Sequence, residues 1–417
     1  MNENTPSSAI PVYIKPVMKS PNRLPVGTNP RGKPKGGNGA TRKNPKKVDR
    51  KIKVKFSKKE LKQLKEKHSD KLTFKKIRLY SWEIPEIKTF VTQFTVQRAY
   101  VGKKLVAQAV HPELPKSGIF GNRLKALSIS LRNGFAGSCD KISTFIEELT
   151  GESFSAQSIK DCAHRVGKEL EPDYKDLESE LRNSDVVGGD ESGWRINGGK
   201  FWLWLFCTAN RVFITIEKSR GREVIAKIFG TQFDGTFISD CLQVYREFAK
   251  HFQKCWAHLL RTTHTLAGLN PKKDIAKLHR WLDNLFNEMK KFLEKDPTPD
   301  EREKMHKKCK RKFDRIINYR WKSKDAKSII KNRLKSFDGH WLTALLIRGV
   351  SLTNNKTEQH IRATIPTRKL LGCHRTEDGA KYFAISESLR QTWKLRGLSP
   401  YHEMVNKFRE INMNQAL

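Results

Sequence analysis

Residues 201–207, FWLWLFC, are apolar at every position, and after the tight turn Ala209-Asn210 residues 211–217, RVFITIE, predict another strand. A run as short and uniformly apolar as the first predicts a strand buried on both faces. Residues 185–189 predict a strand ahead of them, residues 235–240 (GTFISD) a fourth and residues 252–256 a fifth. Between these, SRGREVIAKIFG predicts a helix ended by Gly230, and residues 245–251 a short helix. Three hairpin-connected strands followed by alternating helix and strand predict an α/β core, a mixed five-stranded sheet in the order of an RNase H-like fold.

On both sides of the sheet the period changes to that of helices. In residues 274–295, Ile275, Leu278, Leu282, Leu285, Phe286, Met289 and Phe292 keep one face, with lysines on the others. Pro297 and Pro299 end that helix, a very basic one follows through Trp321, and residues 327–350 hold one or two more. Residues 259–350 thus read as an all-helical insertion in the sheet domain, and helices over 379–396 and 400–411 close the chain. Upstream, residues 141–149, the turn TGESF and a helix capped by Ser155 make a helix-turn-helix pattern. Its second helix presents Gln157, Lys160, His164 and Arg165, candidate DNA contacts. Earlier still, Ser57-Lys-Lys-Glu60 is a capping box opening a helix over 58–67, and residues 74–109 alternate as a β-hairpin turning at Gly102. Residues 1–56, rich in Pro, Gly, Asn, Lys and Arg, lack the apolar content to offset ordering entropy and are expected to be a disordered basic tail.

The resulting division is 1–56 tail, 57–115 helix plus hairpin module, and 116–182 helix-turn-helix region. Residues 183–258 form the first part of the core, 259–350 the insertion, and 351–417 the C-terminal core helices.

Charge narrows the partner. Lys and Arg number 82 against 44 Asp and Glu, a formal net charge of +38, which calls for a polyanion and points to double-stranded DNA. The seven cysteines form no C-x-x-C pair, so neither a disulfide framework nor a zinc ribbon is signalled, and a reduced cytoplasmic, nucleoid-associated setting is expected. No apolar run approaches the ~20 residues of a membrane span.

Three acids stand at the ends or starts of these elements: Asp190 in VVGGDESGWR, Asp240 in FDGTFISDC, and Glu358 in SLTNNKTEQHIR. Singly, each reads as a solvated surface residue; together, in so basic a chain, they suit hard divalent cations. Two such ions about 4 Å apart clamp the attacking and leaving oxygens of a phosphodiester. Asp190 and Asp240 are expected at C-terminal ends of neighbouring strands, with Glu191 a spare acid pointing to the other face. Glu358 lies one turn into a helix capped by Thr353 or Asn354, with Arg362 on the same face. Cys255-x-x-His258, with His264 beyond, lacks a fourth ligand, so no zinc is expected; Cys255 reads as core and His258 as a cap at the strand-to-helix junction. Trp281 reads as core, whereas Trp321, flanked by charge, is a candidate platform for a base flipped out near the cleavage point.

Taken in order, DESGWR, FWLWLF, SRGRE, FDGTFISDCLQVYREF, CWAHLLR and LTNNKTEQHIR…RKLLGCHRTEDGAK resemble the transposases of insertion-sequence family 66. The resemblance runs from about residue 84 to the C-terminus. It implies an RNase H-like DDE core with a helical insertion before the Glu, the triad Asp190, Asp240 and Glu358, and two Mg²⁺ ions for which Mn²⁺ substitutes. It further implies a prokaryotic-type enzyme, a homo-oligomer, that cuts the ends of its own element and joins them to target DNA, with Arg362, Arg368, Lys369 and Arg375 as phosphate contacts. Family members often carry a zinc ribbon where QRAYVGKKL stands, and the absence of cysteine there means zinc is not carried over. The alternatives are an RNase H-like nuclease or resolvase, and a transposase-derived DNA-binding protein without activity.

Overall fold

A computed structural model of the chain describes residues 45–68, 72–271 and 273–414. The expected disordered tail lies, over residues 1–44, outside the described residues. Two units divide near residue 87. In the first, helix α1 (Lys58–His68) opens on the expected capping box: Glu60 N–H donates to Ser57 Oγ and Ser57 N–H to the Glu60 carboxylate.

The second unit begins with a two-stranded hairpin, β1 (Arg98–Val101) and β2 (Lys104–Gln108), turning at Gly102, whose φ of +60° suits glycine. The hairpin is much shorter than the alternation over 74–109 suggests, because residues 72–97 form no strand. Four helices follow: α2 (Asn122–Ile129), extended by a π-helical turn over Ser130–Gly134, then α3 (Cys139–Thr150), α4 (Ala156–Glu169) and α5 (Glu171–Arg182). Helix α3 ends on Gly151 in the left-handed region, and Ser155 caps α4 by accepting the Ser158 N–H.

The central sheet contains β3 (Val186–Ile196), β4 (Gly199–Cys207), β5 (Val212–Glu217), β6 (Phe233–Ser239) and β7 (Ala249–Lys254), with helix α6 (Arg222–Phe229) between β5 and β6. Its order is β5-β4-β3-β6-β7: β3, β4 and β5 are antiparallel, while β6 and β7 run parallel to β3. The expected short helix over 245–251 is instead a 3₁₀ turn, Gln243–Tyr245, a bend over 246–248 and then β7. Burying Tyr245, Phe248 and Phe252 on one sheet face dictates that change.

After the sheet come α7 (Trp256–Leu269), α8 (Asp274–Leu293), α9 (Pro299–Asn318), α10 (Lys324–Ile329) and α11 (Thr343–Leu346), then α12 (Asn355–Leu370), α13 (Glu377–Leu395) and α14 (Pro400–Met413). Three apolar cores result. One face of the sheet, with Trp204, Phe206 and Phe237, shares its core with α2–α6 and α14. On the other face Leu203, Leu205 and Ile214 meet α12 and α13. Helices α7–α11 close a third core around Trp256, Phe313 and Trp341. Each fully buried aromatic or aliphatic side chain contributes on the order of 1.5–3 kcal/mol.

Both sheet edges are covered. Ile214 N–H donates to Ser388 Oγ (2.8 Å) and Val212 N–H to Thr392 Oγ1 (2.9 Å) on α13, so β5 offers no free ladder there. At the opposite edge, Lys254 N–H donates to the His340 carbonyl and Gln253 Oε1 accepts the Ala344 N–H.

Candidate active site

Strand β3 is longer than expected. It runs through Asp190 to Ile196 and turns at Asn197-Gly198, both with positive φ (+47° and +75°), into β4. Asn-Gly is the preferred dipeptide for a two-residue hairpin, and it was the signal for this extension. Asp190 is therefore mid-strand rather than at a strand end. Its parallel pairing to β6, however, stops at Gly188↔Ile238. Two residues farther along each segment stand Asp190, still in β3, and Asp240, just past the end of β6, close enough for the charge of Asp240 to act on Asp190.

Alternation decides which acid faces the site. Asp190 pairs with Leu205, on the face covered by α12, while Glu191 pairs with Trp204 on the opposite face. Glu191 there accepts from Tyr245 Oη (2.5 Å) and from the Arg220 guanidinium (2.6 Å), which lies over the Trp202 ring. Burial and the neighbouring Asp240 raise the Glu191 carboxyl above its usual value, against the pull of Tyr245 and Arg220.

The residues before Asp190 explain how α12 approaches. A Cβ on Gly188 would stand 2.3 Å from Thr357 Oγ1 and 2.7 Å from Asn354 Oδ1; one on Gly189 would stand 2.2 Å from the Phe237 ring. Two glycines thus let α12 on one face and the aromatic core on the other close against β3. Asn354 sits at the α12 N-cap but its side chain does not cap. It donates to the Gly189 carbonyl (2.8 Å), and its backbone N–H to Cys255 Sγ (3.1 Å). Trp256 N–H donates to the Leu352 carbonyl (3.0 Å). At its far end α12 is held by Arg368, which donates to Ser192 Oγ (2.7 Å) and the Gly193 carbonyl, and by Asn197 N–H donating to the His374 carbonyl.

So anchored, the first turn of α12 brings Glu358 near enough for its charge to bear on Asp190. Asp190 is held well above the usual carboxylate range, first by burial and then by the charges of Glu191, Asp240 and Glu358; the Glu191 N–H (3.0 Å) acts the other way. Around Glu358, with 12% of its side chain exposed, stand His258 Nδ1 (3.6 Å from Oε1), Arg261 (3.7 Å from Oε2) and Arg362 (3.3 Å from Oε2). His258 does not cap the helix as expected; it faces Glu358, and burial lowers its basicity despite Glu358 and Asp240. Below Asp240, the buried Lys254 donates to Ser239 Oγ and the Asp240 carbonyl (both 3.0 Å), and burial pulls its ammonium down to about 8. Sequence gave no hint of Lys254, Tyr245 or Arg220, because their partners lie on other strands.

Among the described residues, Asp190, Asp240 and Glu358 do not present oxygens all within 4.8 Å of one another, so they are neighbours without forming a closed ligand set. Their chemistry suits a hard cation all the same: the repulsion that raises Asp190 is what a divalent ion would relieve.

The expected DNA-contacting residues are scattered. Gln157 and Lys160 are exposed on α4, but the His164 ring lies beside Tyr382 (5.2 Å) and Arg165 lies over Gly118, so both are partly engaged in packing. Lys369 and Arg375 are exposed. Trp321 requires a correction. It is 4% exposed, donates its indole N–H to the Ile316 carbonyl (2.8 Å) and packs against Trp281, leaving no face for a base. Among the described residues, no helix is long and apolar enough to cross a membrane.

A family model described as Transposase IS66 family matches residues 117–382, well over half of the chain and inclusive of all three acids. No curated protein matches.

Proposed function

Because this chain belongs to the transposase IS66 family, we propose that it is a DDE transposase, cutting the ends of an insertion sequence and joining them to target DNA. In this reading the sheet is an RNase H-like core, residues 259–350 are its helical insertion, and residues 116–182 are the DNA-binding region. The observation that supports it is the register of β3 and β6, which pair as far as Gly188 and Ile238 and so put Asp190 and Asp240 two residues beyond the same rung, with Glu358 of α12 near enough for its charge to act on Asp190.

Asp190, Asp240 and Glu358 would hold Mg²⁺. Bound divalent ions supply Lewis acidity, activating a water and stabilising charge on the leaving oxygen. The residues' own work is positional. Glycines 188 and 189 and Asn354 fix α12 against β3. Lys254 pins the backbone beneath Asp240, and Arg261 and Arg362 orient Glu358. In cleavage a water oxygen bonds to phosphorus while the P–O3′ bond breaks, and the 3′-oxygen takes up a proton. In joining, that 3′-hydroxyl attacks a target phosphorus and a target 3′-oxygen departs. Arg362, Lys369 and Arg375 lie on exposed surface suited to phosphates.

The test is a strand-cleavage and strand-joining assay on labelled element ends with Mg²⁺. Wild type is expected to produce both nicked ends and joined products, and Asp190→Ala neither, while DNA binding stays within about twofold. Hydrolysis without joining would favour a nuclease or resolvase. Full cleavage by Asp190→Ala would refute the reading.

A further inference from the structure

A second group of metal-competent atoms adjoins the acid pair. Cys255 Sγ, a His258 ring nitrogen and a Glu358 carboxylate oxygen all lie within 4.8 Å of one another. Bond lengths of about 2.0–2.3 Å imply ligand separations of about 3.3–3.8 Å in a tetrahedral site. His258 Nδ1 and Glu358 Oε1, 3.6 Å apart, already stand at that spacing.

Two further observations point to a ligand. Both atoms are buried and neither has a hydrogen-bond partner. A neutral imidazole could satisfy Glu358 only by donating, and at this distance it does not. A cation between them would satisfy both. The third atom, Cys255 Sγ, is at the α7 N-cap and accepts the Asn354 backbone N–H at 3.1 Å; burial holds the free thiol protonated, so a bound cation would have to displace its proton.

We propose that Cys255, His258 and Glu358 form a binding site for a borderline-soft divalent ion of the Zn²⁺ class, distinct in chemistry from the three-carboxylate group but sharing Glu358 with it. Thiolate and imidazole select Zn²⁺ or Co²⁺ over Mg²⁺, which prefers oxygen donors. Three protein ligands leave the fourth position to water. Binding displaces the thiol proton to solvent and joins the start of α7 to the first turn of α12. The sharing of Glu358 rests on the catalytic reading above; the ion site itself does not.

The test uses Co²⁺ on the full-length chain, read by absorption, since a thiolate-to-Co²⁺ charge-transfer band reports a cysteine ligand. Wild type is expected to develop this band, together with the visible bands of tetrahedral Co²⁺, and to lose both when Zn²⁺ is added. Cys255→Ser is expected to abolish the charge-transfer band. His258→Gln is expected to weaken Co²⁺ binding by more than about tenfold, at least the loss typical of supporting residues around metal sites. Asp190→Asn, inactive in strand cleavage on the reading above, is expected to keep the band, so the two proposals fail separately. No thiolate band in wild type, or a band surviving Cys255→Ser, would overturn the site. Should Cys255→Ser prove unfolded by circular dichroism, unchanged Co²⁺ affinity in His258→Gln overturns it instead.

Discussion

Asp190 follows two glycines against which Thr357 and Asn354 on one side and Phe237 on the other close tightly. The carboxyl is held above its usual value of 3.8 by burial and by Glu191, Asp240 and Glu358. A carboxyl raised on folding stabilises the fold in its protonated form. That contribution is present in full below the unfolded value and is lost as pH climbs through the raised one, leaving a cost at neutral pH. Asp190→Asn should therefore give a higher Tm than wild type in metal-free buffer at pH 7, with the gap closing toward pH 4. A lower Tm throughout would mean the carboxylate is not under strain from its neighbours. Gly188→Ala places a methyl 2.3 Å from Thr357 Oγ1, so it should destabilise by about 1–3 kcal/mol in denaturant titrations, as overpacking does. The three acids could be singled out as candidates from the sequence, although Asp190 proves to be mid-strand rather than at a strand end. The reason for Gly-Gly ahead of Asp190 was not, since it depends on Asn354 and Thr357, more than a hundred residues away.

At the scale of elements, α12 matters most. It is held to β3 at its start by Asn354 and at its end by Arg368, and this sets the position of Glu358. Asn354→Ala should cost about 1–3 kcal/mol, because it leaves the buried Gly189 carbonyl without its side-chain donor. It should also reduce strand cleavage by more than that loss of stability explains; a stable variant with full activity would show that the anchor is irrelevant to Glu358. The five strands and most helices could be read from periodicity, since FWLWLFC and the 274–295 stripe carry their own pattern. Residues 245–251 misled because Tyr245, Phe248 and Phe252 suit a helix face as well as a turn leading into an edge strand. Trp321 misled because its charged neighbours in sequence say nothing of Trp281 and Ile316, which bury it.

For the molecule as a whole, a net charge of +38 favours an anionic partner. If that partner is duplex DNA, a footprint of about six to ten phosphates predicts that affinity falls by about 10³–10⁵ between roughly 50 and 200 mM salt. A nearly flat salt dependence in a binding titration would exclude it. The three cores meet where β3, β6, α7 and α12 converge, so the acids depend on packing contributed by most of the second unit. The most direct measurement is a calorimetric Mn²⁺ titration of full-length protein against Asp190→Asn, Asp240→Asn, Glu358→Gln and their pairwise combinations. If the three carboxylates are one centre, each single change weakens binding by more than about tenfold and the double changes add little further. Any one of the three leaving Mn²⁺ affinity unchanged would contradict the account.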